Sequence, residues 1–592
     1  MAIFNRHKFQ KIAVQIPKNL GWAIAFFSGI LMALTTAPVN AWLLAWFALV
    51  PLWILVVSYE QRKTEEKTQK FLFLPSSLFL LPPSFFLLPL LWGIGYHGLA
   101  LSWIMGIHPM TWLGVPWWPS LAIALFCWAF ITVWGATLVV VWAWLFVTFN
   151  SLSLVGKISL LDSPPLQGGA GGGNSKFSAL IRVLIGTALW CALESLWSST
   201  PLWWTSLSYT QSPHNLAILH LGQLSGPSAV TASIIAVNGL IAEAYLEGSS
   251  ATDSVTDVTD GIQPPLRLPP WVRLKKVKGN NWIFYILPVS LCLFLHIIGW
   301  SLYNRPLIQE AGTALKIGII QGNIPNEIKF DSKGWRRALE GYTAGYKKLA
   351  DRGVDAVLTP ETALPFFWTN EYQRSTLSFY QAILDRGVTA WVGGFGQQDD
   401  SMTNSLFAID KTGEIISHYD KLKLVPLGEY IPFYEILGGI INRLSPLDAH
   451  LVPGNSKQLF DTPFGRAIVG ICYDSAFAEI FRYQAANGGE FMLAASNNAH
   501  YKPPMLAQHH ALDVMRAIET DRWAAIATNT GYSAFVNPRG ETLWMSRINT
   551  YEVQDATIYR RQTQTLYVRW GDRLTPLLLV LAGLAMFVIR IK

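Results

Sequence analysis

GICYDSAF, residues 470–477, follows directly on the apolar run Ala467 to Ile471, and the two together read as a buried strand opening into a turn that carries a thiol. The other three cysteines, Cys127, Cys191 and Cys292, lie in long apolar runs, where a cysteine behaves as a small inert hydrophobe. Cys472 alone stands at a strand end in a polar part of the chain. At that position it is either a structural thiol or a candidate nucleophile, and the segments upstream favour the second reading.

Val354 to Thr359 is another strand-like run and ends in PETALP, residues 360–365, which sets Glu361 just past a strand as a candidate general base. YDKLKLVPLGEYIP, residues 419–432, adds Lys421, Lys423 and a Gly428-Glu429 turn. A thiol is only a few per cent ionised near neutral pH, so it needs an adjacent base, a cation, or both. If the lysine run is extended, Lys421 and Lys423 leave the same face, and spacing alone does not choose between them.

The Glu–Lys–Cys order on PETALP, YDKLKLVPLGEY and GICYDSAF resembles the nitrilase, or carbon-nitrogen hydrolase, superfamily. LVPLGEYIP and the apolar segments around it are similar, more specifically, to the bacterial apolipoprotein N-acyltransferase family. So are IIQGNIP (319–325), ASNNAH (495–500) and TNTGYSAFVNPRGE (528–541). The resemblance implies Glu361 as base, Lys421 as the cation for the oxyanion and Cys472 as nucleophile, with Glu429 orienting Lys421 and Tyr473 in support. It implies transfer of a fatty acyl chain from a membrane phospholipid, through a cysteine thioester, to the α-amine of a lipoprotein's S-diacylglyceryl N-terminal cysteine, with no cofactor. Phe366, Phe367 and Trp368 match a mobile family loop, which implies a lipid-facing lid; taken alone, three such aromatics also fit buried packing. His500 and Tyr501 replace a family aromatic pair and are expected at the substrate, while Asp474 stands where a glutamate commonly follows Cys-Tyr.

At 592 residues the chain exceeds what one core organises. Charged residues are 14% against roughly 25% in soluble proteins, apolar residues are 51%, and there are 26 tryptophans, a membrane-protein composition. The net charge of +7 falls in short loops between apolar runs, so it does not indicate a nucleic-acid partner. A spanning helix needs about 20 apolar residues, and eight stretches qualify: 20–37, 41–59, 84–106, 119–148, 179–198, 222–245, 281–303 and 574–590. The expected organisation is a membrane domain over 1–311 with seven spans, a nitrilase-like catalytic domain over 312–562 and a further spanning helix in 563–592. Recurring strand-like runs separated by amphipathic helices make the middle region α/β; its four-layer αββα form is implied by the resemblance alone.

Lys and Arg fill alternate loops, and those around 38–40, 107–118 and 199–216 carry none. The pattern predicts both termini in the cytoplasm and the catalytic domain on the periplasmic side of the inner membrane. Phe71 to Pro83 reads as an interfacial insertion, and Pro164 to Ser175 and Gly248 to Pro270 as spacers. Arg182, Glu194, Asn238 and Glu243 within spans are functional candidates. His509-His510 are adjacent on a helix and point apart, and without HExxH or Cys-x-x-Cys no metal is expected. Absence of G-x-S-x-G argues against a serine hydrolase. The competing enzyme class is a membrane-tethered amidase acting on a small C–N substrate.

Overall fold

The computed structural model describes residues 18–69, 81–158, 171–253, 282–430 and 451–591. Eight long helices follow the eight apolar stretches: Lys18–Ala33, Val50–Gln69, Pro83–Ala100, Trp117–Ile158, Gly171–Ser198, Pro227–Asp253, Trp282–Tyr303 and Leu574–Ile591. Among the described residues, five spans are long and apolar enough to cross a membrane: Trp42–Glu60, Trp117–Ser151, Phe177–Ser198, Pro227–Gly248 and Ile283–Tyr303. Small residues let the helices approach closely. At Gly29 an added Cβ would sit 2.1 Å from the Trp92 carbonyl oxygen, which fixes the crossing of the first and third helices.

Two six-stranded sheets follow. Strands β1 (Ala314–Gln321), β2 (Ala356–Leu358), β3 (Thr389–Gln398), β4 (Ser401–Ile409) and β5 (Ile415–Asp420) belong to one; β6 (Phe460–Thr462), β7 (Gly465–Ile471), β8 (Phe491–Ser496), β9 (Ala524–Thr528), β10 (Ala534–Val536) and β11 (Thr542–Met545) form the other. The first sheet runs β12-β1-β2-β3-β4-β5, with β12 (Glu552–Tyr559) returning to its edge, and the second β11-β10-β9-β8-β7-β6. β1-β2-β3 and β7-β8-β9 are parallel, and the outer strands are antiparallel. Alternation along each strand decides the layers. Ala467, Val469 and Ile471 of β7 meet Ile317, Leu358 and Trp391 of the other sheet, whereas Ile468 faces helices. Ser332–Ala350 and Ser378–Arg386 cover the first sheet; Ala478–Ala486 and Pro503–Thr520 cover the second. The result is an αββα sandwich.

The second helical layer does not face water. Its buried residues, among them Phe481, Leu512 and Met515, run continuously into the membrane helices. The three loops that lack Lys and Arg all meet this side. Gln508 makes the densest join: its amide nitrogen donates to the Ala37 and Ala100 carbonyls, and its oxygen accepts from the Trp103 and Trp204 indoles at 3.0 and 2.8 Å.

Several expectations change in detail. The span expected at 41–59 opens with the 3-10 turn Trp42–Trp46, and the one at 222–245 is the later helix Pro227–Asp253. Helix Gly171–Ser198 reaches back into the glycine-rich stretch read as spacer. The interfacial reading of Phe71 to Pro83 lies outside the described residues over 71–80, as do Arg267 to Lys278 and Ile431-Pro432. The intramembrane polar groups are satisfied by packing partners: Arg182 pairs with Glu243, Asn238 bonds Leu49 and Ala45, and Glu194 accepts from Trp190, Ser206, Leu207 and Thr231.

Candidate active site

Cys472 directly follows β7 with φ at 51°, a left-handed conformation that costs a non-glycine residue roughly 1–2 kcal/mol. The following 3-10 turn, Cys472–Ala476, is held from several sides. Asp474, fully buried, accepts from the backbone N–H groups of Ile471 (3.1 Å) and Lys423 (2.8 Å) and from the Tyr419 hydroxyl (3.3 Å). His509 Nε2 lies 2.9 Å from the Cys472 carbonyl, and Ser475 donates to Asp513 at 2.7 Å. Tyr473 reaches into the membrane half, where its hydroxyl accepts from Trp203 N–H (3.0 Å) and donates to the Pro201 carbonyl (2.8 Å).

Glu361 lies past β2 in a turn whose next residue, Thr362, also has positive φ (43°). Its Oε1 accepts from Lys421 Nζ (2.8 Å) and Asn404 Nδ2 (2.7 Å), and its Oε2 from Asn497 N–H (2.7 Å). Lys421 follows β5, is 1% exposed and bridges to Glu429 at 2.8 Å. Glu429 is fixed in turn by Val425 N–H at 2.8 Å and Asn404 Nδ2 at 3.0 Å.

Electrostatics sort the protons. Burial pushes the Cys472 thiol well up, and the Glu361 charge adds to this more than Lys421 takes away. Burial opposes ionisation of Glu361 too, but Lys421, Lys329 and Asn404 outweigh it and hold the carboxyl below its ordinary range. Burial lowers Lys421, yet Glu361 and Glu429 pull it back well above an ordinary lysine. At rest the cavity therefore holds a neutral thiol together with a carboxylate and an ammonium, the set of groups in which a base can take a thiol proton.

These groups line a cavity of about 650 Å3, together with Glu429, Tyr473, Asn497, His500 and Tyr501. The rest of its wall belongs to the membrane half, including Trp103, Trp112, Phe126 and Phe130. Phe126 and Phe130 are also 64% and 51% exposed on the outer side of helix Trp117–Ile158, so the cavity extends from polar groups to the flank of the bundle. His500 stacks on Trp112 and Tyr501 packs edge-on against Trp103. Burial pushes His500 down to about 4, leaving it neutral at physiological pH.

Phe366, Phe367 and Trp368 do not line this cavity, which corrects the expectation of an aromatic lid for Trp368 above all. Trp368 is fully buried against Phe379 in the outer core of the first sheet, with its indole donating to the Leu364 carbonyl. Phe366 packs on Trp335, and only Phe367 is exposed. Lys423 parts from Lys421 because β5 ends at Asp420; its ammonium lies 4.5 Å from the Phe477 ring centre. Asn404, Asn497 and Lys329, all around Glu361, were not anticipated as site residues. Asn497 lies inside the quoted ASNNAH and Lys329 four residues past IIQGNIP, but neither position carries a chemical signature of its own.

Two family models match. Residues 28–240 fit the apolipoprotein N-acyltransferase N-terminal domain, and residues 316–567 fit carbon-nitrogen hydrolase. The apolipoprotein N-acyltransferase of Nostoc sp. is 53% identical over 93% of this chain and 96% of its own. That of Synechocystis sp. is 46% identical over 94% and 98%, and that of Thermosynechococcus vestitus 37% identical over 93% and 92%. Among solved structures, an amidase from Nesterenkonia sp. is 19% identical over 46% of this chain and 97% of its own, with a TM-score of 0.34.

Proposed function

Because the chain belongs to the apolipoprotein N-acyltransferase family, we propose that Glu361, Lys421 and Cys472 carry its acyl transfer from a membrane phospholipid to a lipoprotein amine. The observation that carries the reading is the cavity, which joins a buried Glu–Lys–Cys cluster to the lipid-facing side of the membrane helices. Glu361 takes the proton from Cys472, and sulfur attacks the ester carbonyl of the phospholipid. Lys421 faces the oxyanion; a donor of this kind is worth roughly 100- to 1000-fold in rate. As the C–O bond breaks, Glu361 returns the proton to the leaving lysophospholipid, and the acyl chain remains as a Cys472 thioester. The α-amine of an S-diacylglyceryl cysteine then attacks the thioester. Glu361 takes the amine's proton and passes it to the departing thiolate, which restores the resting site.

Glu429 orients Lys421, and Tyr473 fixes the turn of the nucleophile. His500 and Tyr501 stand at the cavity wall where acyl chain or acceptor passes. Ala37 beside the first of the loops without Lys or Arg, Trp112 in the second and Trp203 in the third touch Gln508, His500 and Tyr473 of the sandwich, which supports placing it on the periplasmic side, with eight spans and both termini in the cytoplasm. A small-amide hydrolase is not favoured: it leaves the apolar extension of the cavity without a purpose.

The test is a single turnover. Wild type given radiolabelled phospholipid is expected to carry an acyl group that neutral hydroxylamine releases, and to pass it to a diacylglyceryl peptide. Cys472→Ala is expected to do neither. Label on another residue, or transfer by the alanine variant, refutes the assignment.

A further inference from the structure

Glu361 has a second cation behind it. Lys329 closes the short helix Asn326–Lys329, just before Phe330 of the cavity wall, and is 2% exposed. Its ammonium donates to the Glu361 carbonyl at 3.1 Å and lies 5.9 Å from the Phe330 ring centre. Among the described residues no carboxylate stands within 4.0 Å of it, whereas Lys421 has two. Burying an ammonium without a direct partner costs several kcal/mol, and replacement by an apolar group of similar volume is often neutral or stabilising. The fold nevertheless keeps the charge beside the carbonyl that precedes the strained Thr362.

Counting charges gives a reason. Glu361 and Glu429 are balanced by Lys421 and Lys329, and Asp474 by Lys423, so the cluster sums to zero while Cys472 is a thiol. Moving the proton from Cys472 to Glu361 and back leaves the sum unchanged. Without Lys329 the same apolar cavity encloses a net negative charge at every step. Glu361 would then hold a proton more tightly and begin fewer turnovers as a base.

We propose that Lys329 is a positioning residue for acyl transfer: the second cation of a charge-neutral quartet, it clamps the Glu361 turn and keeps that carboxyl anionic. The inference rests on the reading of Glu361 as general base. The other groups facing Glu361 leave the role to Lys329, and Asp474, pushed up to about 6, holds the Cys472 turn rather than Glu361, so its limb is common to all three proteins. Lys421 is shared with Glu429, Cys472 and Tyr501 are neutral at rest, His500 is neutral at its value of about 4, and Asn404 and the Asn497 N–H carry no charge. Burial, with Lys421 adding to it, pushes Lys329 down to about 8, against the pull of Glu361 and Cys472; it stays mostly ammonium at neutral pH.

The experiment uses the full chain in phospholipid nanodiscs, reading single-turnover acylation of Cys472 from pH 3 to 9 in wild type, Lys329→Met and Lys329→Arg. Lys329→Met is expected to move the acid limb of the rate upward by about one pH unit, about tenfold slower near its foot, with a similar plateau above pH 8. Lys329→Arg, which keeps the charge, is expected to leave the midpoint in place. Melting temperature is expected to hold or rise in the methionine variant. A uniform loss at all pH with an unmoved midpoint, a misfolded methionine variant, or a displaced midpoint in the arginine variant overturns the proposal. Failure of wild type to form any thioester refutes the catalytic reading instead, so the two failures are distinguishable.

Discussion

Asp474→Asn separates the geometry of the nucleophile from the stability of the fold. The carboxylate takes Lys423 N–H on Oδ1, and Ile471 N–H with the Tyr419 hydroxyl on Oδ2. Donors reach both oxygens, so an amide must turn its NH2 toward one of them. One charge-assisted bond disappears, the other two weaken and two donors face each other, a loss of about 3–5 kcal/mol. Relief comes from burial, which pushes this carboxyl from 3.8 up to about 6 even against its hydrogen bonds, a penalty that a neutral amide does not bear. The two nearly cancel, and the global cost is about 0–2 kcal/mol. The turn, however, loses a tie that holds Cys472 at its unfavourable φ. Acylation is expected to slow about 30- to 100-fold, or roughly 2–3 kcal/mol of barrier, while the melting temperature falls by a few degrees at most. The folded protein binds the Asp474 proton more tightly than the unfolded chain does. This contribution to wild-type stability is therefore present below about pH 4 and lost as pH rises through about 6, and the variant gains on wild type across that window. The assay pairs hydroxylamine-labile labelling of Cys472 with a thermal melt. An unchanged labelling rate, or a melt lowered by tens of degrees, refutes the reasoning.

Two further pairs of variants follow from where side chains sit. Lys421→Met is expected to cut Cys472 acylation by roughly 100-fold or more, because the oxyanion loses its cation and two carboxylates are left facing each other. Lys423→Met is expected to stay within a few-fold of wild type, since its ammonium lies over Phe477 outside the cavity; single-turnover rates of the pair check both. Trp368→Ala is expected to cost about 3–5 kcal/mol as a cavity in the outer core, and Phe367→Ala less than about 1 kcal/mol. Equal melting temperatures for the two would return Trp368 to a surface role.

The sequence signals that proved readable were those in which position along the chain carries the physics. Eight apolar stretches became eight long helices because their length and polarity leave little alternative. The placement of Glu361 and Cys472 past strand ends was legible because each follows a run of buried strand residues. The less legible strands are β5, β6, β11 and β12. β12, EVQDATIY, is an edge strand whose half-exposed residues blur the alternation that marks a strand. Asn404 looks like any residue within a strand; the pairing of β4 with β5 helps bring it beside Glu361 and Glu429. The triplet Phe366-Phe367-Trp368 has no period to say which ring turns inward, and the close approach of Gly394 to the indole decides it.

The hydroxyl of Tyr473 gives the nucleophile a second address. Its turn belongs by sequence to the sandwich, yet it is fastened to Pro201 and Trp203, and Tyr209 fastens Ala476 from the same loop at 2.9 Å. A copy of the sandwich whose helices had not yet packed would present the thiol without these fastenings and without half of the cavity wall. On the proposed reading of Cys472, the cavity is complete only where sandwich and membrane helices are packed together, which ties the site to the bilayer by construction.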